Sequence, residues 1–186
     1  LDALSELIKI GKIRNIGLSN ETPWGTMEFV HQSKDKGLPK MQSIQNAYNL
    51  LNRIFEFGGS EIAFRENVGL LAYSPLAQGY LTGKYQNGNL PKGSRKELFD
   101  RLQRYEGVGS EEAIESYINI AKNYNIDPSQ LANQFVTTRP FVTSNIIGAT
   151  SMEQLKLAIT SIEVNLTEEI ENDIEKAFQK HGNIAS

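Results

Sequence analysis

The stretch Gly69-Leu70-Leu71-Ala72-Tyr73-Ser74-Pro75-Leu76-Ala77-Gln78-Gly79-Tyr80-Leu81-Thr82-Gly83-Lys84-Tyr85 decides how this chain is read. Gly69 to Tyr73 is an apolar run without charge, the pattern of a strand buried on both faces of a parallel sheet. Ser74-Pro75 ends it, because proline offers no N–H to a ladder and restricts the residue before it. Gly79, Gly83 and Lys84 follow. An aromatic strand end that runs into a Gly-rich loop closed by lysine suits a flat, phosphorylated ligand. The ring covers a planar face, while loop amides and the ammonium meet anionic oxygens. Taken alone, the stretch fits at least as well a strand-end tyrosine beside a solvated loop lysine.

The upstream sequence repeats the same unit. Leu4, Leu7 and Ile8 fall at helical spacing ahead of Gly11, and Ile13 to Leu18 reads as a short strand ending at Ser19-Asn20. Thr22-Pro23 is an N-cap with proline at the first helical position, Met27 and Val30 form the apolar side, and Gly37 closes the helix. Met41 to Gln45 is a second strand, followed by Asn46. Ile54 to Arg65 predicts a helix with Ile62 and Phe64 facing inward. Ile16 to Ile44 is 28 positions and Ile44 to Leu71 is 27, about one strand–helix unit each. A right-handed parallel α/β arrangement follows. Each strand ends in polar or aromatic residues, and ligands in such folds sit at the carboxyl ends of strands. These ends therefore converge, although a turn accounts for any single one of them.

Downstream, residues 86–109 break the rhythm: polar, rich in Gly and Asn, and too long for an ordinary connection, they read as a functional loop or lid. Between Lys84 and Arg104 lie six basic residues (Lys84, Lys92, Arg95, Lys96, Arg101, Arg104) and two acidic ones (Glu97, Asp100). That local excess suggests an anion site or a solvated basic loop. Ser110 is expected to cap an amphipathic helix on Ile114, Tyr117, Ile118, Ala121 and Tyr124. Asp127-Pro128-Ser129-Gln130 opens another, with Leu131 and Phe135 buried. Asn145-Ile146-Ile147 is the fourth strand, Gly148-Ala149-Thr150 its exit, and Thr150-Ser151-Met152-Glu153 a capping box. Strand, glycine, hydroxyl and helix N-terminus together favour phosphate, although Glu153 in the first turn opposes a second anion. Thr167-Glu168-Glu169 caps a last helix on Ile170, Ile174 and Phe178, and the tail after Gly182 is expected to fray.

Composition narrows the classes. A chain of 186 residues suits one domain and buries roughly 70% of its unfolded surface. The net charge of −3 gives no argument for nucleic acid or anionic membrane as partner. No apolar run approaches the roughly 20 residues of a membrane span, and no signal peptide is visible, which favours the cytoplasm. Cysteine is absent, so disulfides, thiolate metal sites and a cysteine nucleophile are excluded, and no metal site is assigned. The chain opens on Leu1 directly in helical sequence, as a piece of a longer protein would.

Four ordered motifs carry a resemblance. They are Gly11-Lys12-Ile13-Arg14 to Ile16-Gly17-Leu18-Ser19-Asn20; Gln45 through Tyr48-Asn49-Leu50-Leu51-Asn52-Arg53; Leu71-Ala72-Tyr73-Ser74-Pro75-Leu76 to Gly79 and Leu81-Thr82-Gly83-Lys84-Tyr85; and Ile147-Gly148-Ala149-Thr150-Ser151 to Gln154-Leu155. Over nearly the whole chain they resemble the second half of an aldo-keto reductase, in the bacterial NADP-dependent branch related to potassium-channel beta subunits. The resemblance implies an α/β fold, a TIM (β/α)8 barrel of the aldo-keto reductase type. Residues 1–186 would carry strands five to eight of that single domain, including the long loop at 86–109.

The family's roles transfer position by position. Ser19, Asn20 and Gln45 match residues that hydrogen-bond the nicotinamide carboxamide, and Tyr73 matches the aromatic stacked on the nicotinamide ring. Ser74, Pro75, Leu76, Gln78 and Lys84 match the loop around the pyrophosphate, and Arg95 resembles a basic residue folding over it. Gly148, Thr150 and Gln154 match the site for the adenosine ribose and its 2′-phosphate. The implied cofactor is NADP(H) and the implied partner a small carbonyl substrate. Leu157 and Ala158 depart from the pattern, because the family often has Glu and Asn there for adenine.

The proton relay of the family resembles Asp, Tyr, Lys and His, all on the first half of the barrel. Here His31 falls in a helix and His181 in the tail, so no catalytic residue is assigned, and a developing alkoxide has no donor in this chain. Two functions are expected: the NADP(H)-binding part of a carbonyl reductase, or a non-catalytic nucleotide-binding or assembly module resembling the beta subunits. A half-barrel would expose two strand edges and the apolar face that fills the interior. It would then need the missing first half, or self-associate.

Overall fold

The computed structural model describes residues 1–99 and 103–185. Within them the chain runs α1 (Asp2–Lys9), β1 (Ile16–Ser19), α2 (Pro23–Lys36), β2 (Met41–Ala47), α3 (Gly59–Glu66), β3 (Gly69–Tyr73), α4 (Arg95–Leu98), α5 (Ser110–Asn123), α6 (Pro128–Thr137), β4 (Val142–Ile146), α7 (Met152–Thr160) and α8 (Glu168–His181). The strands form one sheet in the order β1-β2-β3-β4, and every pairing is parallel. Ser19 pairs with Gln45, Ala47 with Tyr73, and Tyr73 with Ile146, so the carboxyl ends of all four strands stand at one edge.

Side chains alternate across the sheet as the pleat requires. Ile44, Leu70 and Ala72 point to the covered face and are buried. They meet a core built with Val30, Ile118, Leu131, Phe135 and Ile174, in which Tyr48 stacks on Phe135 at 5.8 Å between ring centroids. The opposite face carries Gly17, Ser19, Ser43, Gln45, Leu71, Tyr73, Ser144 and Ile146, and several of these are exposed. The expected apolar barrel-side face is therefore largely small and polar over β1 and β2. Close packing explains part of it: a Cβ on Gly17 would lie 2.7 Å from Ser43 Oγ.

Several local expectations hold. Thr22 Oγ1 accepts from Gly25 N, Asp127 from Ser129 N and Gln130 N, and Thr167 from Ile170 N. Others need correction. The fourth strand is Val142–Ile146 and not Asn145 to Ile147. Its register is set by Thr143 lying against Gly69, where a Cβ would come within 1.9 Å of the hydroxyl. The helix expected from Ile54 is a single 3₁₀ turn (Ile54–Glu56) followed by α3, and Phe64 is 56% exposed. Gly109 is the cap of α5, with Ser110 inside the helix and its hydroxyl unpartnered among the described residues.

At α7 the cap is Ser151, accepting from Gln154 N, and Gln154 Oε1 reaches back to Thr150 N and Oγ1; Glu153 takes no part. The tail does not fray. Asn183 Oδ1 accepts from Arg53 N at 2.6 Å, Ile184 N and Ala185 N both donate to Leu51 O, and Ala185 is buried.

Residues 86–109 are also more ordered than a plain loop. Besides α4 they hold 3₁₀ turns at Gln86–Gly88 and Gln103–Tyr105. Asp100 and Arg101, counted in the charge tally, lie outside the described residues. No helix among the described residues is long and apolar enough to cross a membrane, and no cluster of three or more metal-ligating side chains occurs among them.

Candidate functional site

The strand ends build one constellation. Two of them turn sharply just past the strand: Asn20 after β1 has φ 53° and Ser74 after β3 has φ 58°, left-handed conformations that non-glycine residues hold at a cost of roughly 1–3 kcal/mol. Asn20 N donates to Gln45 O at 2.9 Å, continuing the ladder past Ser19. Asn20 Nδ2 lies 3.4 Å from Ser19 Oγ, and the Tyr73 hydroxyl donates to Asn20 Oδ1 at 2.7 Å. Ser19, Asn20, Gln45 and Tyr73 are thus brought together at the open edge of the sheet. Two amides, a hydroxyl and an aromatic ring in one place can hold a carboxamide-bearing planar ring.

From Ser74 the chain enters a compact turn in which Ala77 (φ 47°), Gln78 (60°) and Gly79 (101°) are also left-handed. The turn is closed by Ala77 N donating to Ser74 O at 2.9 Å and Gly79 N to Leu76 O at 2.8 Å. Glycine at 79 suits the φ of 101°, and a Cβ there would lie 2.9 Å from Lys84 Cε and 3.0 Å from Nζ. The Lys84 side chain therefore crosses this turn, with its ammonium 5.0 Å from the Tyr85 ring centroid. Gln78 Oε1 is buried without a partner among the described residues, an acceptor that a ligand hydroxyl could satisfy. Pro75 is buried and Leu76 half-buried in the same turn. These features fit a phosphorylated nucleotide.

The remaining sequence candidates are placed differently. Gly148, Thr150 and Gln154 share one exposed turn at the N-terminus of α7, and Gln154 is already engaged with Thr150. Arg95 is exposed at the start of α4, and no described contact joins it to the Tyr73 group. Its neighbour Lys96 pairs with Glu106 at 2.7 Å, and Glu106 also accepts from the Tyr80 hydroxyl. Burial, reinforced by Glu106, pushes the Tyr80 phenol up to about 12. The Lys96 and Tyr80 hydrogen bonds hold the Glu106 carboxyl below the ordinary glutamate range. Together the three clasp the long loop against the Ser74–Tyr85 turn.

Arg104 was visible in the sequence only as one basic residue among six. In the structure its Nη1 donates to the Tyr73 hydroxyl at 3.3 Å, a bond that holds the guanidinium pKa above its ordinary value. The signal that could have found it is Tyr105, an aromatic in a polar loop. Tyr105 is buried, and its hydroxyl accepts from Asn49 Nδ2, which also bonds Ser74 O. Beside these residues a cavity of about 370 Å³ opens between the end of β2, the start of α2 and α3.

A second network holds the segment after β2. Arg53 pairs with Glu56 at 2.8 Å and with Glu175 of α8 at 2.9 Å, and its guanidinium lies 4.0 Å from the Phe178 ring centroid. Burial opposes the Arg53 charge, but its two carboxylates overcome it and hold the pKa above the ordinary value. The Tyr48 hydroxyl donates to Glu56 Oε1 at 2.5 Å, and burial pushes that phenol well up.

The aldo/keto reductase family model matches residues 1–178, and the chain belongs to that family. It is 48% identical over 179 residues to Protein tas of Escherichia coli, covering 96% of this chain and 52% of that protein. It is 40% identical over 188 residues to an aldo-keto reductase of Babesia bovis, covering 97% and 66% respectively. With the L-glyceraldehyde 3-phosphate reductase of Escherichia coli it shares 32% identity over 173 residues, covering 89% and 49%. The chain spans about half the length of most of these relatives.

Proposed function

We propose that this chain is the NADP(H)-binding part of an oxidoreductase that reduces aldehydes or ketones to alcohols, contributing strands five to eight of a cytoplasmic (β/α)8 barrel. Membership of the aldo/keto reductase family and the named activity of the glyceraldehyde phosphate reductase relative support it. The observation that carries it is the Ser19, Asn20, Gln45 and Tyr73 constellation beside the left-handed turn crossed by Lys84. The bound nucleotide would supply the hydride. The chain's own part is to hold it: the amides at β1 and β2 orient the carboxamide, Tyr73 covers one ring face, and Lys84 meets pyrophosphate charge. Arg95 would fold over the pyrophosphate, and the Gly148, Thr150 and Gln154 turn would take the 2′-phosphorylated ribose.

The proton donor lies outside this chain in our reading, so residues 1–186 alone turn nothing over. The partner would be the missing first half of the barrel or a second copy. Two features favour such a partner: α1 and α7, the helices next in sequence to the outermost strands, have no buried residue, and Ile146 and Ile147 stay partly exposed. A non-catalytic nucleotide-binding module, as in the channel beta subunits, is the second reading. His31 in α2 and His181 ending α8, neither at a strand end, suit both readings, and a first half carrying Asp, Tyr, Lys and His would decide for the reductase.

Calorimetric titration of the chain with NADPH and NADH, and NADPH oxidation with an aldehyde panel, test the proposal. The expected result is tighter binding of NADPH than of NADH, with no oxidation until a polypeptide supplying the first half is added. Absence of nucleotide affinity, both alone and with that half, overturns it. Binding with no turnover in the completed barrel selects the second reading.

A further inference from the structure

The cavity between β2, α2 and α3 opens on the helix-covered side of the sheet. Ile44 and Asn46 line it from that side of β2, alternating with Ser43 and Gln45 on the other face, and Ala47 borders it at the end of the strand. Its floor is apolar, formed by Ile44, Phe55, Ile62 and Val68, with Ile54 and Phe57 toward the surface. At about 370 Å³ it falls within the range of small-molecule sites, which pair an apolar lining with a few placed polar groups.

Charge at the rim sets the class of ligand. Arg104 lines the cavity, is exposed, and has no carboxylate within ion-pair distance among the described residues. Its one described side-chain bond is to the Tyr73 hydroxyl, which leaves most of its five donors available. The guanidinium is held over the rim from both sides in sequence and space: Tyr105 is anchored by Asn49, and Tyr73 is anchored by Asn20. The one acidic side chain in the lining, Glu21, is turned back on the start of α2, where Oε1 accepts from Thr22 N at 2.8 Å and from Thr22 Oγ1.

We infer that this cavity binds a small organic anion with an apolar, ring-sized body, its carboxylate received by Arg104 and its body lying on Phe55, Ile62 and Val68. A fixed guanidinium fork matches a carboxylate geometrically and favours it over a neutral group. The site uses none of the residues assigned to the nucleotide except Asn20 and Tyr73, which border it. It does not depend on the reductase reading, since no turnover enters the argument.

The test is calorimetric titration of the chain with naphthoate and with its neutral isostere naphthamide, with and without saturating NADPH. Emission of Trp24, the single tryptophan, beside the lining residue Pro23, gives a second signal. Naphthoate should bind at least about tenfold more tightly than naphthamide. Arg104→Gln should erase that preference, while Arg104→Lys retains part of it. Ile62→Phe, which fills the floor, should weaken both probes. The expected pattern should persist whether or not nucleotide binds, so failure of the nucleotide reading leaves this result readable. Equal affinity for the two probes, an unchanged preference in Arg104→Gln, or no binding of naphthoate to the wild-type chain overturns the inference.

Discussion

The Tyr73 hydroxyl donates to Asn20 Oδ1 at 2.7 Å, joining the ends of β3 and β1 across the intervening β2. The ring that would cover a nicotinamide and the amide that would orient its carboxamide are therefore held by one another. Tyr73→Phe should keep the ring and lose this bond; Tyr73→Ala loses both. With the barrel complete, Tyr73→Ala should weaken NADPH binding by about 1 kcal/mol, a stacking-sized loss, and Tyr73→Phe by less. Titration of nucleotide into the two variants checks the order.

Arg53 is a buried charge between Glu56 and the more exposed Glu175. Removing one member of a buried pair leaves the other uncompensated, at about 3–5 kcal/mol. Part of this site is solvated, with Glu175 46% exposed, so Arg53→Met should cost about 2–3 kcal/mol of folding stability. Tyr48→Phe, which removes one hydrogen bond to Glu56, should cost about 1–2 kcal/mol. Urea unfolding measures both.

The Lys96–Glu106–Tyr80 clasp should be sensitive to pH in a definite direction. The folded carboxyl of Glu106 titrates below its ordinary value of 4.5. Its contribution is therefore complete above that pH and is lost as pH falls through the lower folded value. The stability advantage of wild type over Glu106→Gln should thus persist at neutral pH and vanish in acid. On the alkaline side, Tyr80 ionises at about 12 instead of 10.0. Its contribution should disappear as pH rises across that interval. Thermal melts of wild type, Glu106→Gln and Tyr80→Phe across both ranges test the two arms.

The carboxyl-terminal tail is a structural element. Deleting residues 183–186 removes the Asn183 bond to Arg53 N, the two amides on Leu51 O and the burial of Ala185. At about 0.5–1.5 kcal/mol per hydrogen bond, the deletion should cost about 2 kcal/mol in urea unfolding.

Local chemistry made most of the fold legible. The Thr22-Pro23 and Asp127-Pro128 starts, the Gly37 stop and the near-constant strand spacing are written in single residues and short intervals. The β4 boundary was not, because Thr143 and Ser144 look like loop residues; their place comes from register against Gly69 and Leu71. Phe64 was misread because burial depends on where α3 begins, and Gly58, with φ 97°, delays that start. At the site, Tyr73 and its Gly-rich turn were readable, because glycine and a strand-end aromatic leave a local pattern. Arg104 was not, because what brings it to Tyr73 is a contact across 31 positions.

The absence of any buried residue in α1 and α7 has a consequence for how the chain opens. Local unfolding free energy follows the contacts an element would lose, so it is low at both flanks and high where α5, α6 and α8 close over the sheet. Amide hydrogens of α1 and α7 should exchange through small excursions, and those of β2, β3 and α6 only with global unfolding. The sheet then behaves as a rigid centre between two adjustable shoulders, and a docking polypeptide would reorganise those shoulders while the centre keeps its geometry.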